Sequence, residues 1–162
     1  MSPPVYRVAA DLPGSLWIMP HPPADDLPGA ISAYATEGIE HIISLLEAEE
    51  ARALGLSREE MLCSARGITF QSHPIPDFAL PQEPAFGALI WSLSNALSAG
   101  EAIAVHCRAG VGRSGMVAAC TLIARGLSGE TALQRVSEAR GVSVPDTVAQ
   151  RDFVLNFSPH PN

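Results

Sequence analysis

The chain has 162 residues with 17 acidic and 10 basic side chains, a net charge of −7, and contains no lysine, so every basic residue is an arginine. That balance excludes a generic nucleic-acid footprint and any lysine Schiff-base chemistry. No apolar run reaches the 18 residues of a membrane span, and the N-terminus lacks a secretory h-region; a soluble, cytoplasmic protein with no membrane contact is expected. Cys63, Cys107 and Cys120 form no Cys-x-x-Cys pair and are odd in number, which argues against a disulfide framework or zinc site and for a reducing compartment. No metal and no cofactor are called for. The length suits one domain over residues 1–162.

In chain order, Val5 to Ala10 and Leu16 to Ile18 read as edge strands, and Pro20 to Pro28 as a proline-rich loop without regular structure. Ile31 to Glu37 reads as helix and Ile39 to Leu46 as strand. Glu47 to Ala65 is acidic and alanine-rich; within it Ser57-x-x-Glu60 has capping-box spacing and opens a helix to about Ala65. Ile68 to His73 is a strand, Pro84 to Ala99 a helix and Ala102 to Val105 a strand. Met116 to Ala124 is apolar on nearly every side and predicts a buried helix. Ser128 caps a helix over Gly129 to Arg140, and Asp146 or Thr147 opens a last one ending near Asn156. The alternation predicts an α/β domain with a central, mostly parallel sheet of about five strands and helices on both faces.

The chemistry concentrates in His106-Cys107-Arg108-Ala109-Gly110-Val111-Gly112-Arg113-Ser114-Gly115, between the strand and the buried helix. Amides from Arg108 to Arg113 and the positive end of the helix dipole converge there on one centre, which favours an oxyanion and favours thiolate over thiol at Cys107. Gly110 and Gly112 allow positive φ and close approach of backbone to ligand. Arg113 offers a planar fork for two phosphoryl oxygens. Ser114 is placed to donate to the Cys107 sulfur, and His106 to orient the loop through backbone hydrogen bonds. Ligands of open parallel sheets sit beyond the carboxyl ends of strands, where Cys107 falls.

The pattern His-Cys, five residues, Arg-Ser resembles the signature of the cysteine-dependent protein tyrosine phosphatase superfamily. Within it the chain looks most like the small atypical dual-specificity and kinase-associated phosphatases. His73-Pro74-Ile75-Pro76-Asp77-Phe78 looks like that family's general-acid loop, and Asp146-Thr147-Val148-Ala149-Gln150 like its Glu-Thr-x-x-Gln element, so the likeness runs over about residues 16 to 157. It implies a metal-independent phosphatase acting on phosphotyrosine and on phosphoserine or phosphothreonine of a protein or peptide, through a phosphocysteine on Cys107. Asp77 would then be general acid and base, and Ser114 would ease thiolate departure. Gln150 would position water or substrate, or else lie on the helix surface. Phosphate, sulfate or vanadate would occupy the loop, and a phosphoinositide or other small phosphate ester is the alternative substrate. Rival carboxylates are Glu83, Asp146 and Asp152. Cys63 and Cys120 read as packing residues, with a redox partnership to Cys107 as the other possibility.

Overall fold

A computed structural model describes residues 2–9 and 13–159. Five strands form one sheet in the order β1-β2-β5-β3-β4: β1 (Tyr6–Ala9), β2 (Ser15–Met19), β3 (His41–Ser44), β4 (Thr69–Ser72) and β5 (Ala102–His106). β1 runs antiparallel to β2, and every other pairing is parallel. The expected mostly parallel sheet with helices on both faces is the observed one.

Alternation along each strand separates two cores. Leu16, Ile18, Ile43, Ile103 and Val105 face α4 (Ala85–Ser98), α5 (Gly112–Ala124), α6 (Gly129–Arg140) and α7 (Val148–Leu155). Met19, Ile42 and Ala104 face α1 (Leu27–Glu37), α2 (Ala48–Ala53) and α3 (Glu59–Ala65). The period of two makes each strand feed both cores. α5 is buried from Gly112 to Leu122, as its all-round apolar sequence requires.

Several local expectations are corrected. β2 is not an edge strand: it lies between β1 and β5, with Leu16 and Ile18 fully buried. The Pro20 to Pro28 stretch is not wholly irregular, since a 3-10 turn covers 24–26 and α1 starts at Leu27. Pro28 sits in the first turn of α1, where a missing N–H breaks no helical hydrogen bond. Ser57 caps nothing; α3 begins at Glu59 behind Arg58. The unpredicted α2 carries the capping box of that region, with Glu47 and Glu50 bonding each other's backbone. Ser128 and Thr147 do cap α6 and α7 through Thr131 N and Gln150 N. Ala10, the expected end of the first strand, lies outside the described residues.

Candidate active site

β5 occupies the centre of the sheet and stops at His106, and α5 begins at Gly112, so residues 107–111 form a loop beyond the strand's carboxyl end. Gly110 adopts φ 74°, and a Cβ there would stand 2.6 Å from both the Met19 carbonyl oxygen and the Pro20 nitrogen. Backbone on one side and positive φ on the other leave no residue but glycine. Gly110→Ala is therefore expected to cost about 1–3 kcal/mol of stability and to remove phosphate-dependent protection against heat; a variant that phosphate still protects normally would show the loop tolerates the shift.

The loop is held from outside by its carbonyls. Arg140 of α6 donates from Nε to the Gly110 carbonyl at 3.0 Å and from Nη2 to that of Ala109 at 3.1 Å, while its guanidinium stacks 4.2 Å over Tyr6 of β1. The His21 amide donates to the Arg108 carbonyl. With these carbonyls bonded from outside, the trans peptides turn the N–H groups between them the other way, toward the N-terminus of α5, an arrangement that favours an anion. Cys107 lies in its floor, 3% exposed.

Arg113, in the first turn of α5, is 1% exposed. Glu50 of α2 grips its guanidinium bidentately, with Nη1–Oε1 and Nη2–Oε2 both 2.8 Å, and Nη1 also donates to the Ile75 carbonyl at 2.8 Å. Burial works against the Arg113 charge, but the Glu50 hydrogen bonds and the charges of Cys107, Glu50 and Asp77 outweigh it and raise the guanidinium above its ordinary value. In return the Arg113 hydrogen bonds hold the Glu50 carboxyl below the ordinary carboxylate range. Glu50 also reaches Arg108 Nε at 3.3 Å, so the Arg108 side chain is half-exposed yet tethered across the rim. The cleft beside the loop, about 480 Å³, is lined by Glu47, Ala48, Glu49, Glu50, Asp77 and Arg108.

Asp77 does come to the loop. Its Oδ1 stands 3.2 Å from Arg113 Nη2 and accepts the Phe78 amide at 3.1 Å. Phe78, at φ 62°, is exposed at the tip of the segment. Gln150 is fully buried, so it does not lie on the helix surface. Its Oε1 accepts the Asp146 and Thr147 amides, and its Nε2 donates to the Ala79 carbonyl at 3.3 Å, which ties the Asp77 segment to the start of α7.

His106 is fully buried, with Nδ1 at 3.2 Å from the Cys107 carbonyl and Nε2 at 2.7 Å from Glu59 Oε2. Ser114 departs from expectation: its Oγ is buried without a hydrogen-bond partner, so in this resting arrangement it does not bond the Cys107 sulfur. Among the rival carboxylates, Glu83 accepts the Gly87 amide at the start of α4, and Asp152 shares a groove with it between α4 and α7. Asp146 is different. Its carboxylate crowds Gly112 so closely that a Cβ there would overlap it, and burial, then the Asp77 charge, raise its pKa against the pull of Arg113. Cys63 packs in the core on the opposite sheet face from Cys107, its thiol pushed up to about 12 by burial first. Cys120 is completely buried in α5 and also pushed up, mainly by burial. Both are packed in the core, as expected of packing residues. Among the described residues no His/Cys/Asp/Glu cluster has the makings of a metal site, and no helix is long and apolar enough to cross a membrane.

Glu50, Glu59 and Arg140 were not visible as site residues in the sequence. The only signal was the density of acids from Glu47 to Glu60, which marks a region without naming partners.

A mostly parallel sheet that delivers a cysteine into a glycine-turned loop, with a buried arginine in the next turn, is the arrangement of the cysteine-dependent phosphatase class. Residues 25–127 match the family described as Tc-R-P, "Polymorphic toxin system, DSP-PTPase phosphatase", and the chain belongs to that family. Cyclin-dependent kinase inhibitor 3 of Rattus norvegicus is 30% identical over 93 residues, 56% of this chain and 44% of that protein, so the chain's match spans less than half the length of this relative. The structure of kinase associated phosphatase (KAP) bearing a serine in place of its catalytic site cysteine superposes with a TM-score of 0.85 at 21% identity, over 95% of this chain and 93% of that one. PTPMT1 in complex with PI(5)P superposes at 0.74 with 18% identity, over 93% and 92%. These structural likenesses carry the fold.

Proposed function

We propose that the protein is a metal-independent phosphatase that hydrolyses phosphotyrosine, and phosphoserine or phosphothreonine, in proteins through a phosphocysteine. One observation carries the reading: Arg113 is sealed beside the Cys107 loop by Glu50 and the Ile75 carbonyl with its Nε edge left free of those two bonds. The incoming phosphoryl group takes that edge and the inward amides, and Asp77 gives up its contact with Nη2. On leaving Arg113 the Asp77 carboxylate takes up a proton from solvent; Cys107 thiolate then attacks phosphorus while the bond to the leaving oxygen breaks, and Asp77 delivers that proton to the oxygen. The loop amides and Arg113 hold the equatorial oxygens throughout. Water next attacks the phosphocysteine, Asp77 accepts a proton from it, and the Ser114 hydroxyl, buried and free of other partners, donates to the departing sulfur.

The rim bears on substrate choice. Glu47, Glu49 and Glu50 line the cleft next to the loop with Arg108 the sole basic residue there, a field that opposes an anionic membrane or a multiply phosphorylated headgroup. PTPMT1, the neighbour bound to PI(5)P, shares the fold, and a small phosphate ester or phosphoinositide is the second reading. Turnover of phosphopeptides and of a phosphoinositide set, both with chelator present, separates the two: lipid turnover far above peptide turnover overturns the first reading. Three unpaired cysteines fit a reducing compartment, and we infer a cytoplasmic one.

The acid is tested by its leaving-group dependence. General acid catalysis contributes about 10²–10⁴-fold when the leaving group is poor. Asp77→Asn should slow a phosphotyrosine peptide by that factor and an ester of an already acidic phenol much less. Asp146→Asn is the pointed control, because that carboxyl stands near the loop and burial raises its pKa; should it show the dependence instead, the acid is Asp146. Glu83→Gln and Asp152→Asn should behave as wild type.

A further inference from the structure

Glu59, the first residue of α3, is 2% exposed, and a carboxylate withdrawn from water is costly unless it is paired. Its partner is His106. The carbonyl of Cys107 can only accept, so the hydrogen of the 3.2 Å contact is on His106 Nδ1; a Glu59 carboxyl oxygen closes on Nε2 at 2.7 Å. The two side chains thus form a buried His–Glu pair, with the ring adjacent in the chain to the nucleophile and the carboxyl group on the ring's far side. Around Glu59 stand Tyr34 from α1 and Cys63 from α3, and burial first, then the Glu59 charge, raises both, so they stay neutral and leave the carboxylate to His106. Beside His106 in the sheet are Met19 of β2 and Ser44 of β3, neither charged. On the Cys107 side the facing charge is Arg113 from α5.

We propose that Glu59 is a positioning residue for the nucleophile: through His106 it fixes the Cys107 carbonyl and orients a buried ion-pair dipole whose positive end, nearer the sulfur, favours the thiolate. Glu59 touches no substrate. The idea rests on Cys107 reacting as a thiolate, as the proposed function requires, but its test needs no turnover.

The rate of Cys107 alkylation by iodoacetamide, read by mass on the Cys107 peptide across pH, reports the thiolate directly. In Glu59→Gln the midpoint should move to higher pH by about half to one unit, since the dipole's near positive end is lost. Below both midpoints that is alkylation slowed by roughly 3- to 10-fold. The acid limb of kcat/KM should shift by the same amount. In a His106→Gln background, adding Glu59→Gln should give no further shift. An unchanged midpoint in folded Glu59→Gln overturns the proposal, and so does a shift that persists without His106. If Glu59→Gln does not fold, 15N spectra of the wild-type histidines decide: both His106 nitrogens protonated at neutral pH supports the pair, and one bare nitrogen overturns it. A shifted alkylation midpoint in a protein that hydrolyses no phosphate ester would fault the phosphatase reading and leave the role of Glu59 standing.

Discussion

Cys107→Ser should abolish turnover, by on the order of 10⁴-fold or more, as loss of an enzymic nucleophile typically does, and should leave oxyanion binding intact. A serine hydroxyl is far less acidic than a thiol and needs a base to attack. None is poised here. Both nitrogens of His106 are engaged, by Glu59 and by the Cys107 carbonyl, and that ring lies buried beneath the loop. Asp77 faces the rim and is bonded to Arg113. The cradle itself owes nothing to the sulfur: Gly110, the outward carbonyls held by Arg140, and Arg113 remain. Phosphate or vanadate should therefore raise the melting temperatures of the variant and of wild type to a similar extent. Aryl phosphate turnover surviving in the serine variant would rule out the covalent path, and loss of the ligand-dependent stabilisation would mean that the sulfur also shapes the loop.

Arg113→Lys should remove most activity despite keeping the charge. An ammonium cannot satisfy two Glu50 oxygens, the Ile75 carbonyl and a phosphoryl group at once, because it lacks the planar fork. Loss of one such donor set in the transition state is worth about 10²–10³ in kcat, and breaking a buried pair costs about 3–5 kcal/mol of stability. Denaturant unfolding and kcat on an aryl phosphate check the two figures separately. Glu50→Gln probes the other half. Since Arg113 depresses the Glu50 pKa, the stabilisation from this carboxylate is fully present above the unfolded glutamate value of about 4.3 and is lost as pH falls through the lower folded value. Wild type should thus lose more stability between neutral pH and pH 3 than Glu50→Gln does. Equal losses would mean the clamp contributes nothing to folding, and near-normal turnover in Arg113→Lys would remove Arg113 from the cradle.

The loop was legible because its chemistry is contiguous. Cys107, Gly110, Gly112 and Arg113 fall within seven residues between a strand and an apolar helix, and each residue type has a local reason to be there. Asp77 was readable only through its likeness to a known loop, and the structure adds why it arrives: β4 runs beside β3, and Gln150 secures the Ala79 carbonyl from across the site. Glu50, Glu59 and Arg140 were not readable, since their partners stand 63, 47 and 30 residues away along the chain and no local pattern encodes such pairings. α2 escaped because six residues are too few to show a helical period, and its cap is a glutamate where serine or aspartate is the usual signal. β2 was misplaced for a different reason: its three apolar residues announce a strand, but position in a chain does not give position in a sheet, and only the parallel pairing with β5 makes it central.

The contact between Asp77 and Arg113 has a bearing on which anions the site admits. In the resting molecule the arginine already faces two carboxylates, Glu50 and Asp77, so the seat holds an internal monoanion. Chloride, or a free carboxylate, would exchange one single charge for another and gain little from the swap. On the proposed reading a phosphoryl dianion would bring twice the charge and more acceptor oxygens and compete with Asp77 for the arginine; the displaced carboxylate would then take up a proton from solvent beside the leaving oxygen. On that reading, rejection of singly charged anions and release of the acid would be one event.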